Sequence, residues 1–192
     1  GRNAIGSTLY VNLEPCSHFG KTSPCADSII SRKVKRVVIA MRDPNPLVNG
    51  SGIEKLRAAK IDVIVGVLKT DAITLNEKFV KFVGSELPFV TLKIAETLDG
   101  RIADVNGDSK WISNVKAQKF AHSLRATHDA ILVGANTIVK DNPELTVRHV
   151  KGRNPIRVVV DGKLSSPLSA KIFKNTKTAK TIIFVSENSY HS

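Results

Sequence analysis

Glu14-Pro15-Cys16-Ser17-His18-Phe19-Gly20-Lys21-Thr22-Ser23-Pro24-Cys25-Ala26-Asp27 is the stretch from which the fold is read. Ahead of it stands Thr8-Leu9-Tyr10-Val11-Asn12-Leu13, an apolar run of strand length. Behind it, Ala26-Asp27-Ser28-Ile29-Ile30 reads as the first turns of a helix that runs to about Arg32. Ser23 is expected as the N-cap and Pro24 at the first helical position. One thiol is therefore expected just past a strand end and the other at a helix N-terminus. A helix N-terminus favours negative charge, so Cys25 is expected to ionise more easily than an ordinary thiol. Thiolate is the form of cysteine that binds zinc.

Outward from this loop, strands and helices alternate. Residues 37–40 read as a buried, parallel strand. Asp43-Pro44-Asn45-Pro46 must be loop, because two prolines lack amide donors and restrict the residues before them. Residues 52–59 read as a helix with Ile53 and Leu56 on its apolar face, and 63–67 as a strand. Thr70-Asp71 then caps one helix carrying Ile73, Leu75, Phe79, Phe82 and Val83. This order is that of an α/β layer arrangement. Ser85-Glu86-Leu87-Pro88 breaks it, and the expected domains are 1–86 and 87–192. The second part opens with a strand over 89–95 and an Asp99-Gly100 turn. A helix follows, capped by Ser113 or Asn114. Residues 130–134, 156–161 and 181–185 read as strands, with a helix from 135 that Asp141-Asn142-Pro143 ends.

Composition bounds the function classes. The net charge is +12, but Lys and Arg are spread along the chain, densest at Lys33, Lys35 and Arg36. No aromatic residues interleave with them as a single-strand stacking platform needs, so nucleic acid is not the expected partner. Phosphate-bearing small substrates account for part of the basic balance. No apolar run approaches the roughly 20 residues of a membrane span, and the first residues lack the core of a signal peptide. The expected location is cytoplasmic and no membrane partner is expected. The chain starts without Met and with a strand almost at once, and it reads as a fragment. Two cysteines in an otherwise Cys-free chain also admit a pair of buried thiols. A disulfide suits them less, since nothing marks a secreted protein.

The zinc nucleobase deaminases carry H-x-E and then P-C-x-x-C. Pro15-Cys16 is present here, but eight residues separate Cys16 from Cys25. That spacing, inside Glu-Pro-Cys-Ser-His-x-Gly-x-Thr-x-Pro-Cys, resembles the bifunctional pyrimidine deaminase/reductases of riboflavin biosynthesis. Four later blocks resemble the reductase half of the same family. They are Lys93-x-Ala95-x-x-Leu98-Asp99-Gly100-Arg101, Ser109-x-Trp111-Ile112, Leu124-Arg125-Ala126, and Gly134-x-x-Thr137-x-x-x-Asp141-x-Pro143-x-Leu145-Thr146-x-Arg148.

The resemblance implies the C-terminal part of a cytidine-deaminase-like α/β/α domain followed by a truncated dihydrofolate-reductase-like α/β domain. It implies zinc held by Cys16 and Cys25, with His18 a loop residue and not a ligand. It implies NADPH held by Ala95, Trp111, Thr137, Asp141 and Gly162. It implies a phosphorylated pyrimidine held by Lys93, Ser109, Arg125, Leu145 and Arg148, with Leu145 acting through its backbone. Guanidinium groups suit a phosphate because they bind it bidentately. No G-x-G-x-x-G follows a strand, so a Rossmann site is not indicated.

The family's His-Ala-Glu, with the third zinc ligand and the catalytic glutamate, is not among the residues before Cys16, and neither is the family's glycine-rich closing segment after the last strand. The catalytic carboxylate is therefore not assigned, and the 192 residues alone are expected not to deaminate. The complete protein is expected to be a homo-oligomer. Two other readings are a nucleoside or nucleic-acid deaminase with an unrelated appendage, and a non-catalytic basic module that binds a phosphorylated ligand.

Overall fold

A computed structural model describes residues 4–108 and 112–190, so Ser109 and Trp111 lie outside the described residues. The chain forms two compact units, Gly1–Thr91 and Leu92–Ser192. Both are mixed α/β structures built on parallel sheets.

The first unit runs β1 (Thr8–Leu13), α1 (Cys25–Ser31), β2 (Arg36–Met41), α2 (Ser51–Ala58), β3 (Asp62–Val65), α3 (Lys69–Leu75) and α4 (Glu77–Ser85). Its sheet has the order β1-β2-β3, all parallel, with Tyr10 opposite Val38 and Val38 opposite Ile64. The central strand β2 reads as a continuous apolar run because neighbours cover it on both sides. Val37 and Ile39 meet Ala26 and Ile29 of α1 and Ile53 and Leu56 of α2 in one buried cluster. Each such large aliphatic side chain stabilises the fold by about 1.5–3 kcal/mol relative to exposure.

The second unit runs α5 (Val115–Thr127), β4 (Ala130–Gly134), α6 (Ala135–Asp141), β5 (Ile156–Val160), α7 (Lys171–Lys174), β6 (Thr181–Phe184) and α8 (Glu187–Tyr190). Its sheet has the order β4-β5-β6, again parallel, with Val133 opposite Val159 and Val159 opposite Ile183. Ile138, Leu145, Val159, Ala170 and Ile172 form its core. Asn114 caps α5, its Oδ1 accepting from the Ala117 amide at 3.0 Å.

Four expectations need correction. Residues 89–95 are not a strand; the segment is irregular, and Val90, Leu92 and Ile94 are exposed. The alternation is present, but a strand needs a ladder, and β4, β5 and β6 pair with one another and not with this segment. The single helix expected from Thr70 is two, α3 and α4, broken at Asn76. There the Asn76 side chain donates to the Ala72 carbonyl at 2.8 Å, bonding the backbone locally in the way that unsuits Asn to helix interiors. Third, Pro24 and not Ser23 is the N-cap of α1, and Cys25 is the first helical residue. Pro24 has ψ 136°, still extended, so the helix cannot begin before the thiol. Fourth, Cys25 is not the easily ionised thiol that its place at a helix start suggests.

Candidate active site

The cysteine loop is anchored by Glu14. This side chain is buried, and its carboxylate accepts from the amides of Asp43 at 3.3 Å, Gly50 at 3.0 Å, Gly52 at 3.0 Å and Ile53 at 3.1 Å. The end of β1 is thereby tied to the N-terminus of α2, where amides lack helical partners. Gly52 is required there, since a Cβ would lie 1.9 Å from the Pro15 carbonyl oxygen. Ser17 and Ser51 share a hydroxyl hydrogen bond of 2.6 Å.

On this frame the two cysteines come together. The Cys16 carbonyl accepts from the Ala26 amide at 3.0 Å, and the Cys25 amide donates to the Cys16 sulfur at 3.3 Å. The Cys25 thiol is not easier to ionise. The hydrogen bond with the Cys16 side chain, then burial and the charge of Cys16, push it above its ordinary value. In a helix of seven residues, the neighbouring sulfur outweighs the helix end.

The pair supplies two soft donors side by side, whereas a tetrahedral zinc site takes four ligands. Among the described residues no group of three or more His, Cys, Asp or Glu could hold a metal ion. The donor chemistry fits zinc, the set is not closed, and no step is assigned to the metal. His18 stands exposed beside them.

In the second unit the expected residues gather in two places. The first is a crevice of about 280 Å3 lined by Gly134, Ala135, Asn136, Asp161, Gly162, Lys163 and Ser165. It lies outside the carboxyl ends of β4 and β5, where parallel α/β sheets bind ligands. Gly162 forms part of its wall, and a Cβ added at Gly134 or Gly162 would meet nothing within 4 Å. Thr137 follows in the first turn of α6, and Asp141 lies four residues on, on the same helix face. Asp161 shapes the crevice. Its carboxylate accepts from the Ser165 amide and hydroxyl, both at 2.9 Å, and from the Ser166 amide at 2.8 Å. Burial alone would raise its carboxyl, but the Ser166 and Ser165 hydrogen bonds outweigh that and hold it at about 2.

The second place is basic. Leu145 has φ 55°, a left-handed conformation that is rare for a branched side chain. Leu145 is buried, and its side chain packs in the core of the unit. The turn it makes presents the Thr146 carbonyl to Arg125 Nη1 at 3.2 Å. Burial, then the charge of Arg148, lowers the pKa of Arg125. Arg148 pairs with Glu144 at 2.7 Å. Two guanidinium groups thus stand close enough to repel, which an anion between them would relieve. Lys93 and Ala95 lie in the irregular segment after residue 88, Lys93 exposed and Ala95 half-buried.

Sequence reading did not single out His122, His149, Arg157 or Asp161. His122 is buried, sits one turn before Arg125, and meets His149 edge to face with ring centroids 4.5 Å apart. Its helix spacing to Arg125 was the available signal. Arg157 is a charge inside the apolar run 156–160, itself a sign of special surroundings.

The sequence profile of the family described as RibD C-terminal domain matches residues 88–191. The crystal structure of a diaminohydroxyphosphoribosylaminopyrimidine deaminase/5-amino-6-(5-phosphoribosylamino)uracil reductase from Thermotoga maritima is 49% identical, with a TM-score of 0.87 over 95% of this chain and 52% of that one. Acinetobacter baumannii RibD, form 1, is 38% identical, with a TM-score of 0.86 over 100% of this chain and 55% of that one. The riboflavin biosynthesis protein RibD of Aquifex aeolicus (strain VF5) is 52% identical over 184 residues, 95% of this chain and 51% of the relative. That of Bacillus amyloliquefaciens is 47% identical over 190 residues. The chain spans about half the length of the curated relatives it matches. On the match over residues 88–191, the chain belongs to the RibD C-terminal domain family.

Proposed function

We propose that this chain is part of a bifunctional enzyme of riboflavin biosynthesis. Residues 87–192 belong to a reductase domain of dihydrofolate-reductase-like fold, and 1–86 to a zinc deaminase domain of cytidine-deaminase-like fold. The complete cytoplasmic protein, a homo-oligomer, deaminates 2,5-diamino-6-(5-phosphoribosylamino)pyrimidin-4-one. It then reduces the ribosyl side chain, giving 5-amino-6-(5-phosphoribitylamino)uracil.

NADPH, when bound, supplies the hydride. The chain's own residues bind and orient. Gly162 and Thr137 line or flank the crevice at the carboxyl ends of β4 and β5, where open space at the glycines admits a cofactor. Asp141, Ala95 and Trp111 complete the cofactor contacts. Arg125 and Arg148 hold the substrate phosphate, the Leu145 backbone and Ser109 hydrogen-bond it, and Lys93 faces the sugar hydroxyls. In the first unit, Cys16 and Cys25 are two of the zinc ligands.

The observation that carries this reading is the approach of Arg125 and Arg148 around the left-handed Leu145 turn. The Thr146 carbonyl and the Glu144 carboxylate hold the two side chains there, and neither removes the repulsion between the guanidinium groups that a phosphate would relieve. Equilibrium binding of 5-amino-6-(5-phosphoribosylamino)uracil tests it. Arg125→Ala is expected to weaken binding by roughly 10- to 100-fold, the effect of losing a charge-assisted hydrogen bond. Unchanged affinity contradicts the assignment.

A further inference from the structure

Arg157 is the largest fully buried side chain among the described residues. It projects from β5, and its terminal nitrogens donate to three carbonyls, those of Glu144 at 3.4 Å, Asn175 at 3.3 Å and Ala179 at 2.5 Å. Those bonds fix the side chain, but among the described residues no carboxylate forms an ion pair with it; the Glu144 charge favours the guanidinium, and burial outweighs that and lowers its pKa. Its Nε–H is buried with no acceptor. A buried guanidinium in this state is costly unless something anionic comes to it.

The room for an anion is present. Arg157 forms part of the wall of a cavity of about 450 Å3, which Arg148, Lys171 and Lys174 also line. Glu144 is the one carboxylate in the wall, and Arg148 engages it, so Arg157, Lys171 and Lys174 are the three cations left over. Asn154, Asn175, Thr146 and Thr178 supply uncharged hydrogen-bonding groups. The size falls within the range of small-molecule sites and exceeds the need of a bare ion. Arg125 is not in the wall, and neither are Thr137, Asp141 or Gly162, whereas Arg148 is.

We propose that the cavity walled by Arg157, Lys171 and Lys174 is a second anion site, one that takes a phosphate-bearing small molecule. Its phosphate is held by the exposed Lys171 and Lys174 over the buried Arg157 charge, and it draws on neither Arg125 nor Arg148, the latter being paired with Glu144. A phosphate monoester carries close to two negative charges at neutral pH, which the excess of cations matches.

Isothermal titration calorimetry of the 192-residue chain with inorganic pyrophosphate tests this. The wild-type chain is expected to bind saturably. Lys171→Ala/Lys174→Ala, which removes two exposed side chains, is expected to weaken that binding at least tenfold with no loss of thermal stability. Arg125→Ala is expected to leave it within twofold. No binding by the wild-type chain overturns the proposal. So does equal affinity in the double-lysine variant, which marks non-specific attraction to a basic protein. Loss of binding in Arg125→Ala alone also overturns it, since the anion then sits on α5. Arg157→Met provides a second check. If it folds, it is expected to lose the site, and undiminished pyrophosphate binding by the folded variant overturns the proposal.

Discussion

The amide of Arg148 donates to Nδ1 of His122 at 3.1 Å, across a turn and a helix. With Nδ1 accepting, a neutral His122 carries its proton on Nε2, the nitrogen that faces Arg125 Nη1 at 3.5 Å. Protonating Nδ1 would break the first bond and add charge beside Arg125, Arg148 and His149. Burial first, and then those three charges, hold the ring at about 4, below its ordinary 6.5.

Between pH 6.5 and about 4 the unfolded chain takes up a proton at this residue and the folded chain does not. Stability is therefore expected to fall as pH drops through that window and to level off below it. Thermal unfolding from pH 7.5 to 3.5 measures this, and His122→Asn is expected to flatten the slope. A wild-type slope identical to that of the variant contradicts the account.

Glu14 serves four backbone amides with one carboxylate. Glu14→Ala leaves those donors buried without an acceptor, at a cost of about 1–3 kcal/mol for each group not rescued by water. Urea denaturation is expected to show a loss of about 3 kcal/mol or more. Gly52→Ala is expected to fail in the same region, because its Cβ would lie 1.9 Å from the Pro15 carbonyl. Wild-type stability in either variant would show that the loop is held by other means.

Asn114→Ala tests the start of α5. The Asn114 side chain accepts from the Ala117 amide and caps this end, so its loss is expected to cost about 1 kcal/mol. The helix carries His122 and Arg125, and fraying at its first turn leaves both in place. Binding at Arg125 is expected to stay unchanged while the unfolding midpoint falls. Loss of binding at Arg125 would show that capping and site geometry are coupled.

Much of the fold was legible, and the reason lies in its strands. The runs at 37–40 and 130–134 are apolar throughout and both are parallel strands, though only the first is buried and Leu132 of the second is exposed; the prolines at 44, 46 and 143 mark the loops between elements. The run at 89–95 alternates with Thr91 and Lys93 as a strand can, but lacks the pairing, because strand formation depends on a partner that local sequence does not specify. Asn76 breaks a helix through its side chain's competition for the Ala72 carbonyl, an effect that an apolar periodicity of 3.6 passes over. The short helices α7 and α8 lack the length for any periodic signal.

Of the candidate site, residue types in a fixed spacing were readable: Cys16 with Cys25, Arg125 with Arg148. Groups that matter through burial were not. His122 is an unremarkable helix residue in the sequence, and its buried ring beneath two arginines exists only after α5 packs against the turn at Leu145. Cys25 shows the same limit, since its ionisation is set by the sulfur beside it.

Titration of the 192-residue chain with NADPH, followed by cofactor fluorescence, tests the central assignment most directly. Gly162→Val is the informative variant, because a Cβ there meets nothing within 4 Å and the side chain extends into the crevice. The account predicts saturable binding at one NADPH per chain, lost in Gly162→Val with an unchanged unfolding temperature. No saturable binding, or equal binding by a folded Gly162→Val chain, contradicts it.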